Sequence, residues 1–156
     1  MNFLFYTISR ARNFHNLSEK EQDILQKLTM GNDGSMQDEA WLSCPESPVK
    51  VWIARNPKGI PLGWTMIVNL HNSTFCCYTF VHPSFRRKGV ASALFTRAAN
   101  YAAKSNIVLK VYPHDRRSSE FFRKFYSNKV INYTNLSFNY DEDFNPRNEP
   151  WKDIEY

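Results

Sequence analysis

The stretch from Phe80 to Leu94 holds the residue types and spacing best suited to chemistry. An apolar run ends at Phe80-Val81, and His82-Pro83 follows. The cations Arg86, Arg87 and Lys88 then precede Gly89, and Val90-Ala91-Ser92-Ala93-Leu94 follows at once. This is the pattern of a strand, a short basic loop and a helix start. The first amides of a helix have no intrahelical partner, and the helix dipole is positive there, so such a junction can hold a pyrophosphate. Gly89 lets the backbone come close because it has no Cβ. Arg86–Ala91 lacks the Gly-x-Gly-x-x-Gly spacing of a dinucleotide fold, and no Gly-Lys-Ser/Thr is present, which sets those two phosphate sites aside. The competing assignment for these residues is an exposed basic turn.

The flanking sequence must position that junction. Phe3–Ile8 is apolar and aromatic enough for a strand. Ser18-Glu19-Lys20-Glu21 is a helix start, with a serine cap and acids in the first turn. Leu17, Ile24, Leu25 and Leu28 form one apolar face, and Gly31 ends the helix. Residues 31–48 read mostly as loop, with a short helix around Met36–Leu42. Val49–Arg55, Leu62–Leu70 and Thr74–Val81 read as strands. The turns between them, Asn56–Gly59 and His71–Ser73, are short, so these strands form an antiparallel meander. Lys88–Lys104 has helical spacing in Val90, Leu94, Ala98, Tyr101 and Ala102, and six alanines between Ala91 and Ala103. Ile107, Leu109 and Val111 alternate in a strand that follows this crossover, so it should run parallel to Thr74–Val81. Arg117–Tyr126 is a second helix with Phe121, Phe122 and Phe125 inward. Val130–Tyr140 supplies one or two closing strands.

Length and composition bound the rest. The 156 residues suit one domain, and 42% hydrophobic content can fill one core. No apolar run reaches the about 18 residues of a membrane helix. Met1–Tyr6 lacks the pattern of a signal peptide and reads better as part of a strand. The Asn-x-Ser/Thr sequons at Asn16, Asn72, Asn132 and Asn135 are therefore taken as chance. Cys44, Cys76 and Cys77 have no metal-ligand spacing, and reduced thiols in the cytoplasm are expected. The formal net charge is +5. Residues 141–156 hold six acids and two bases, a net −4, so residues 1–140 carry +9. A basic body suits a polyphosphate ligand or a nucleic acid. The expectation is one α/β (α+β) domain, residues 1–140, followed by an acidic aromatic tail, residues 141–156.

The order of elements and the motif together resemble the GCN5-related N-acetyltransferase (GNAT) family. Its motif, Arg/Gln-x-x-Gly-x-Gly/Ala after a strand, is matched by Arg86-Arg87-Lys88-Gly89-Val90-Ala91. Val81-His82-Pro83 is similar to the family's Val-x-Pro lead-in. Phe125-Tyr126-Ser127-Asn128-Lys129-Val130-Ile131 stands where members show Tyr-x-x-x-Gly-Phe. The tyrosine matches, while Val130 and Ile131 replace glycine and phenylalanine. Ser119 stands where many members have asparagine. The specific part of the match covers about residues 62–131.

The resemblance implies a mixed, mostly antiparallel sheet with a central, splayed parallel pair and flanking helices. It implies an acetyl-CoA-dependent N-acyltransferase working by direct attack in a ternary complex, without a metal. The cofactor-binding residues it implies are Phe80, Val81, Arg86, Arg87, Lys88, Gly89, Val90, Ala91, Ser92 and Ser119. The amides from Arg87 to Ser92 would wrap the pyrophosphate. The gap between Thr74–Val81 and Ile107–Tyr112 would take the pantetheine arm, and a bulge near Phe80 would aim an amide at the thioester oxygen. Tyr126 would be catalytic, protonating the departing thiolate; the competing role is core packing against Phe122 and Phe125.

The central strand lacks the glutamate that many members use as general base. His71, His82, His114 and Asp115 lie near strand ends, where a water chain could relay a proton. Cys76 and Cys77 suit small core thiols better than acyl carriers. Asp33, Asp38, Glu39, Glu46 and Trp41 in the 31–48 loop, with Trp151 and the tail acids, could receive a cationic amine. The acceptor could be a protein lysine or N-terminus, a small amine or an aminoacyl-tRNA. No membrane partner is expected, and a homodimer is one option for the assembly. The alternative function is a catalytically degenerate GNAT-like module that binds a protein or nucleic-acid partner. A nucleic-acid-binding protein without activity ranks last, since no RNA-binding motif is apparent.

Overall fold

Strict alternation along neighbouring strands sorts the core onto the two faces of one sheet. The computed structural model describes residues 4–11, 16–30, 48–69, 75–111, 120–122, 131–133 and 150–156. Its strands are β1 (Thr7–Ala11), β2 (Pro48–Arg55), β3 (Pro61–Asn69), β4 (Phe75–Val81), β5 (Leu109–Val111) and β6 (Ile131–Tyr133), and they lie in that order. β1 to β4 are antiparallel neighbours. β5 runs parallel to β4, through Phe75↔Leu109 and Cys76↔Lys110, and β6 runs parallel to β5. A crossover helix lies between β4 and β5, as parallel pairing requires.

That crossover is α2 (Val90–Ser105), and the earlier helix is α1 (Glu19–Met30). Val51, Ile53, Trp64, Met66, Val68 and Phe80 form one cluster with Ile24, Leu25 and Leu28 of α1. Trp52, Ala54, Ile67, Cys77 and Val81 form the other with Val90, Leu94, Phe95, Ala98 and Ala102 of α2. The period of two in each strand puts successive residues on opposite faces. The small alanines of α2 let the helix sit close to the sheet. Fully burying each large apolar side chain contributes about 1.5–3 kcal/mol, so both helices are held mainly by these stripes.

Local signals set several boundaries. Glu21 N donates to Ser18 Oγ at 3.2 Å, so Ser18 caps α1 as its position suggested. In the β2–β3 turn, Asn56 Oδ1 accepts from Ile60 N at 2.8 Å and Asn56 O accepts from Gly59 N at 2.8 Å. Gly59 has φ +82°, a left-handed value that costs glycine little. Arg55 donates through Nε and Nη2 to Glu21 Oε2, at 3.2 and 2.7 Å, and through Nη1 to Ser9 Oγ. It therefore ties α1 to β1 and β2.

Several boundaries differ from expectation, β5 starting at Leu109 rather than Ile107 among them, and two differences have a clear physical reason. β1 is Thr7–Ala11 rather than Phe3–Ile8, because pairing from Thr7↔Arg55 to Ala11↔Val51 defines the strand. Leu4 and Tyr6 still pack against the α2-side core, outside the ladder. Apolar content located the packing segment and not the hydrogen-bonded one. α2 begins at Val90 rather than Lys88, because Arg87 (φ +61°) and Gly89 (φ +84°) are left-handed and cannot be helical.

The second predicted helix is described at 120–122 only. There Phe122 is buried, and Phe121 and Phe122 meet Phe95 edge-on at 5.9 and 5.3 Å. The expected 31–48 loop with its short helix, apart from Pro48 in β2, the expected His71–Ser73 turn, and residues 134–149 lie outside the described residues. Pro150–Asp153 forms a single 3-10 turn against α1, and Ile154 and Tyr156 pack on the α1-side core. Among the described residues, no helix is long and apolar enough to cross a membrane.

Candidate active site

β4 ends in the basic loop. Its described pairing with β5 covers Phe75 and Cys76, while the strand continues to Val81. On the other side its register with β3 is unbroken from Asn69↔Phe75 to Gly63↔Val81. The expected bulge near Phe80 is therefore missing from this ladder. Gly63 explains the close fit: a Cβ there would lie 2.6 Å from the Phe80 carbonyl oxygen and 3.0 Å from Val81 Cα. A lone glycine inside a strand pattern was the available signal.

The unbroken register determines which main-chain groups face outward. His82 N donates to Leu62 O at 2.8 Å, extending the β3 ladder. In an antiparallel ladder, alternate residues turn both main-chain groups to the same neighbour. Phe80 therefore faces β3, and Thr79 and Val81 face the β5 side. The amide directed toward the β5 side is that of Val81 rather than Phe80. The Phe80 side chain is buried in the α1-side core and Val81 in the α2-side core.

The loop is held from behind. Pro83–Phe85 form a 3-10 turn in which His82 Nδ1 accepts from Ser84 N at 3.1 Å and Phe85 N donates to His82 O at 2.9 Å. Arg86 Nε donates to Val81 O at 2.9 Å, and its guanidinium lies over the Phe80 ring at 5.2 Å. Arg86 thus folds its Nε back on β4 although the residue is exposed, as Arg87 and Lys88 are. Gly89 caps α2 in the left-handed region, and no atom lies within 4 Å of where a Cβ would stand on it. Ala93 N donates to Gly89 O at 2.9 Å, the first rung of the helix. The amides of Val90, Ala91 and Ser92 precede that rung. Left-handed turns before a helix start are the geometry of an anion-binding concavity.

His82 is 6% exposed, so it is neither an ordinary surface residue nor open to a solvent relay. Its Nδ1 accepts a hydrogen bond, so the ring proton is on Nε2 in this arrangement. Its ring packs against Phe85 at 5.6 Å and Tyr156 at 5.2 Å, and Tyr156 meets Phe85 at 4.8 Å. Tyr156 Oη donates to Pro61 O at 2.6 Å. Burial pushes its phenol well above the usual tyrosine range. One local cue to this docking exists: apolar Ile154 and Tyr156 alternate with polar Asp153 and Glu155.

On the α2 side, Cys77 is buried with its Sγ 3.5 Å from Thr65 Oγ1, which is 2.7 Å from Thr79 Oγ1. Tyr126, Ser119, His71, His114 and Asp115 lie outside the described residues. Among those described, no group of three or more His, Cys, Asp or Glu could hold a metal ion.

Residues 14–126 match the family model described as Acetyltransferase (GNAT) family. No curated protein sequence matches the chain. Solved structures share the fold. One is a GNAT family acetyltransferase from Streptococcus pneumoniae TIGR4, with TM-score 0.58, 18% identity, and coverage of 78% of this chain and 86% of that one. A ribosomal-protein-alanine N-acetyltransferase from Brucella melitensis has TM-score 0.54, 15% identity and coverage of 78% and 90%. AAC(6')-Iy, in complex with the bisubstrate analog CoA-S-monomethyl-acetylneamine, has TM-score 0.56, 16% identity and coverage of 81% and 92%. At these identities the likeness is one of fold.

Proposed function

The chain belongs to the acetyltransferase (GNAT) family, and from that premise we propose that it transfers an acetyl group from acetyl-CoA to an amine by direct attack in a ternary complex. The observation that carries this reading is the pair of left-handed residues, Arg87 and Gly89, leading into the first turn of α2. The amides of Val90, Ala91 and Ser92 suit the pyrophosphate, and exposed Arg87 and Lys88 add positive charge. Arg86 acts differently, by fixing the loop to β4. Acetyl-CoA supplies the thioester that the amine attacks.

The chain's own groups then have defined tasks. The pantetheine arm would lie along β4 beyond Cys76, where Thr79 and Val81 turn their main chain outward, as an added strand would. The Val81 amide would donate to the thioester oxygen as negative charge gathers there. The new C–N bond forms as the C–S bond breaks. Tyr126 would give the departing sulfur its proton, and Ser119 would contact the arm. The neutral amine loses one proton to water on attack, and Tyr126 regains one from water, so the proton count closes. His82 is a poor relay because its one acceptor nitrogen is committed to Ser84 N.

Calorimetry with acetyl-CoA, followed by a thiol-release assay against protein, small-amine and aminoacyl-tRNA acceptors, tests the proposal. Saturable binding and release with one acceptor class are expected, with Tyr126→Phe lowering turnover but not donor affinity. Absence of acetyl-CoA binding would overturn it.

A further inference from the structure

The 150–156 segment touches three parts of the site's frame at once. Tyr156 Oη holds the start of β3 at Pro61. Its ring meets His82, which ends the β4 ladder, and Phe85, which immediately precedes Arg86. Lys58 Nζ, from the β2–β3 turn, donates to the Tyr156 main-chain oxygen at 3.4 Å. Ile154 packs with Tyr156 on the α1-side core.

The three rings form a closed set of contacts, with centroids 4.8–5.6 Å apart. Such contacts contribute about 0.5–1.5 kcal/mol each beyond burial. They act on a turn that is already ordered by the Ser84 and Phe85 hydrogen bonds to His82. Without the Tyr156 ring, one side of both His82 and Phe85 would lose its packing. The turn would then be free to pivot, and Arg86–Gly89 would move with it.

The geometry points to Tyr156 as a positioning residue for the acyl donor: it clamps the His82–Phe85 turn and so presets the Arg86–Ser92 loop for the pyrophosphate. This rests on the acetyl-CoA reading of that loop. Tyr156 itself touches no reacting atom. A loop ordered before binding has less freedom to lose on binding, so the clamp appears as donor affinity.

The test uses the full chain with Tyr156→Phe, Tyr156→Ala and the double variant Phe85→Ala/Tyr156→Ala beside Phe85→Ala. Calorimetry reads acetyl-CoA affinity, and hydrogen exchange reads the amides of Ser84–Ala91. Tyr156→Ala is expected to weaken donor binding about tenfold and to speed exchange at Ser84–Ala91, leaving β2 and β3 slow. Tyr156→Phe keeps the ring and should stay within about threefold. The double variant should be little worse than the poorer single one, since the two rings share one contact. Unchanged affinity and loop exchange in Tyr156→Ala would overturn the inference, as would exchange that rises equally across the whole sheet. If Tyr156→Ala does not fold, Tyr156→Leu takes its place with the same outcomes. If the unaltered chain binds no acetyl-CoA, the functional proposal falls, and loop exchange alone decides the clamp.

Discussion

Arg86 Nε donates to the main-chain oxygen of Val81 at 2.9 Å, so the first cation of the basic loop is a brace on the strand it follows. Val81 turns that oxygen toward the β5 side, beyond the described β4–β5 pairing at Phe75 and Cys76. The guanidinium satisfies an acceptor at the end of β4 and covers the Phe80 ring. Arg87 and Lys88 are left to face solvent.

Arg86 and Lys88 should therefore respond differently to neutralisation. Lys88→Gln should weaken acetyl-CoA binding a few-fold, with a shallower salt dependence and no change in melting temperature. Arg86→Gln should weaken binding and also lower stability, by about 1–2 kcal/mol for the lost charge-assisted bond. Calorimetry at two salt concentrations, with thermal melts, separates the two effects. Equal stability of both variants would remove the brace.

Gly63→Ala should destabilise the fold. The added methyl meets the Phe80 oxygen and Val81 Cα, both backbone atoms that cannot swing aside. A cost of about 1–3 kcal/mol is expected, as for overpacking. Denaturant melts measure it. A loss of donor affinity in the surviving folded fraction would show that the β4 end had moved.

Gly89→Ala meets no steric block, since nothing lies within 4 Å of the added carbon. The penalty is the left-handed backbone at φ +84°, about 1 kcal/mol. A melt lowered by a few degrees is expected, with a larger proportional loss in acetyl-CoA binding as the loop relaxes. A binding loss no larger than the stability change would argue against a preset cradle.

Alkaline pH should release Tyr156. Its folded phenol titrates above its unfolded value of 10.0. The stability it adds is fully present below about pH 10 and is lost as pH rises beyond that. The difference between the native chain and Tyr156→Phe isolates the phenol. Melting curves from about pH 8 to about pH 11.5 should fall more steeply for the native chain than for Tyr156→Phe. Parallel curves would mean that the phenol is not held neutral by the fold.

Residues near each other in sequence determined much of this protein. The serine cap before Glu19, the turn at Asn56–Gly59, the two-residue period of β2–β4 and the helical stripe of α2 are local rules, each readable from a few neighbours. The Arg86–Ala91 motif was legible for the same reason: a helix start and its preceding loop lie within one short stretch. What only the tertiary structure decided depends on pairing between distant segments. Register against β3, and not residue type, turns the Val81 amide outward and the Phe80 amide inward. Gly63 matters because the β4 backbone lies 2.6 Å from where its Cβ would be. Tyr156 reaches Pro61 across 95 residues; the alternation at 153–156 marks an apolar face but not what it docks on. The chain's own order of residues thus supplied the basic loop and helix start, and the long-range packing decided what braces them.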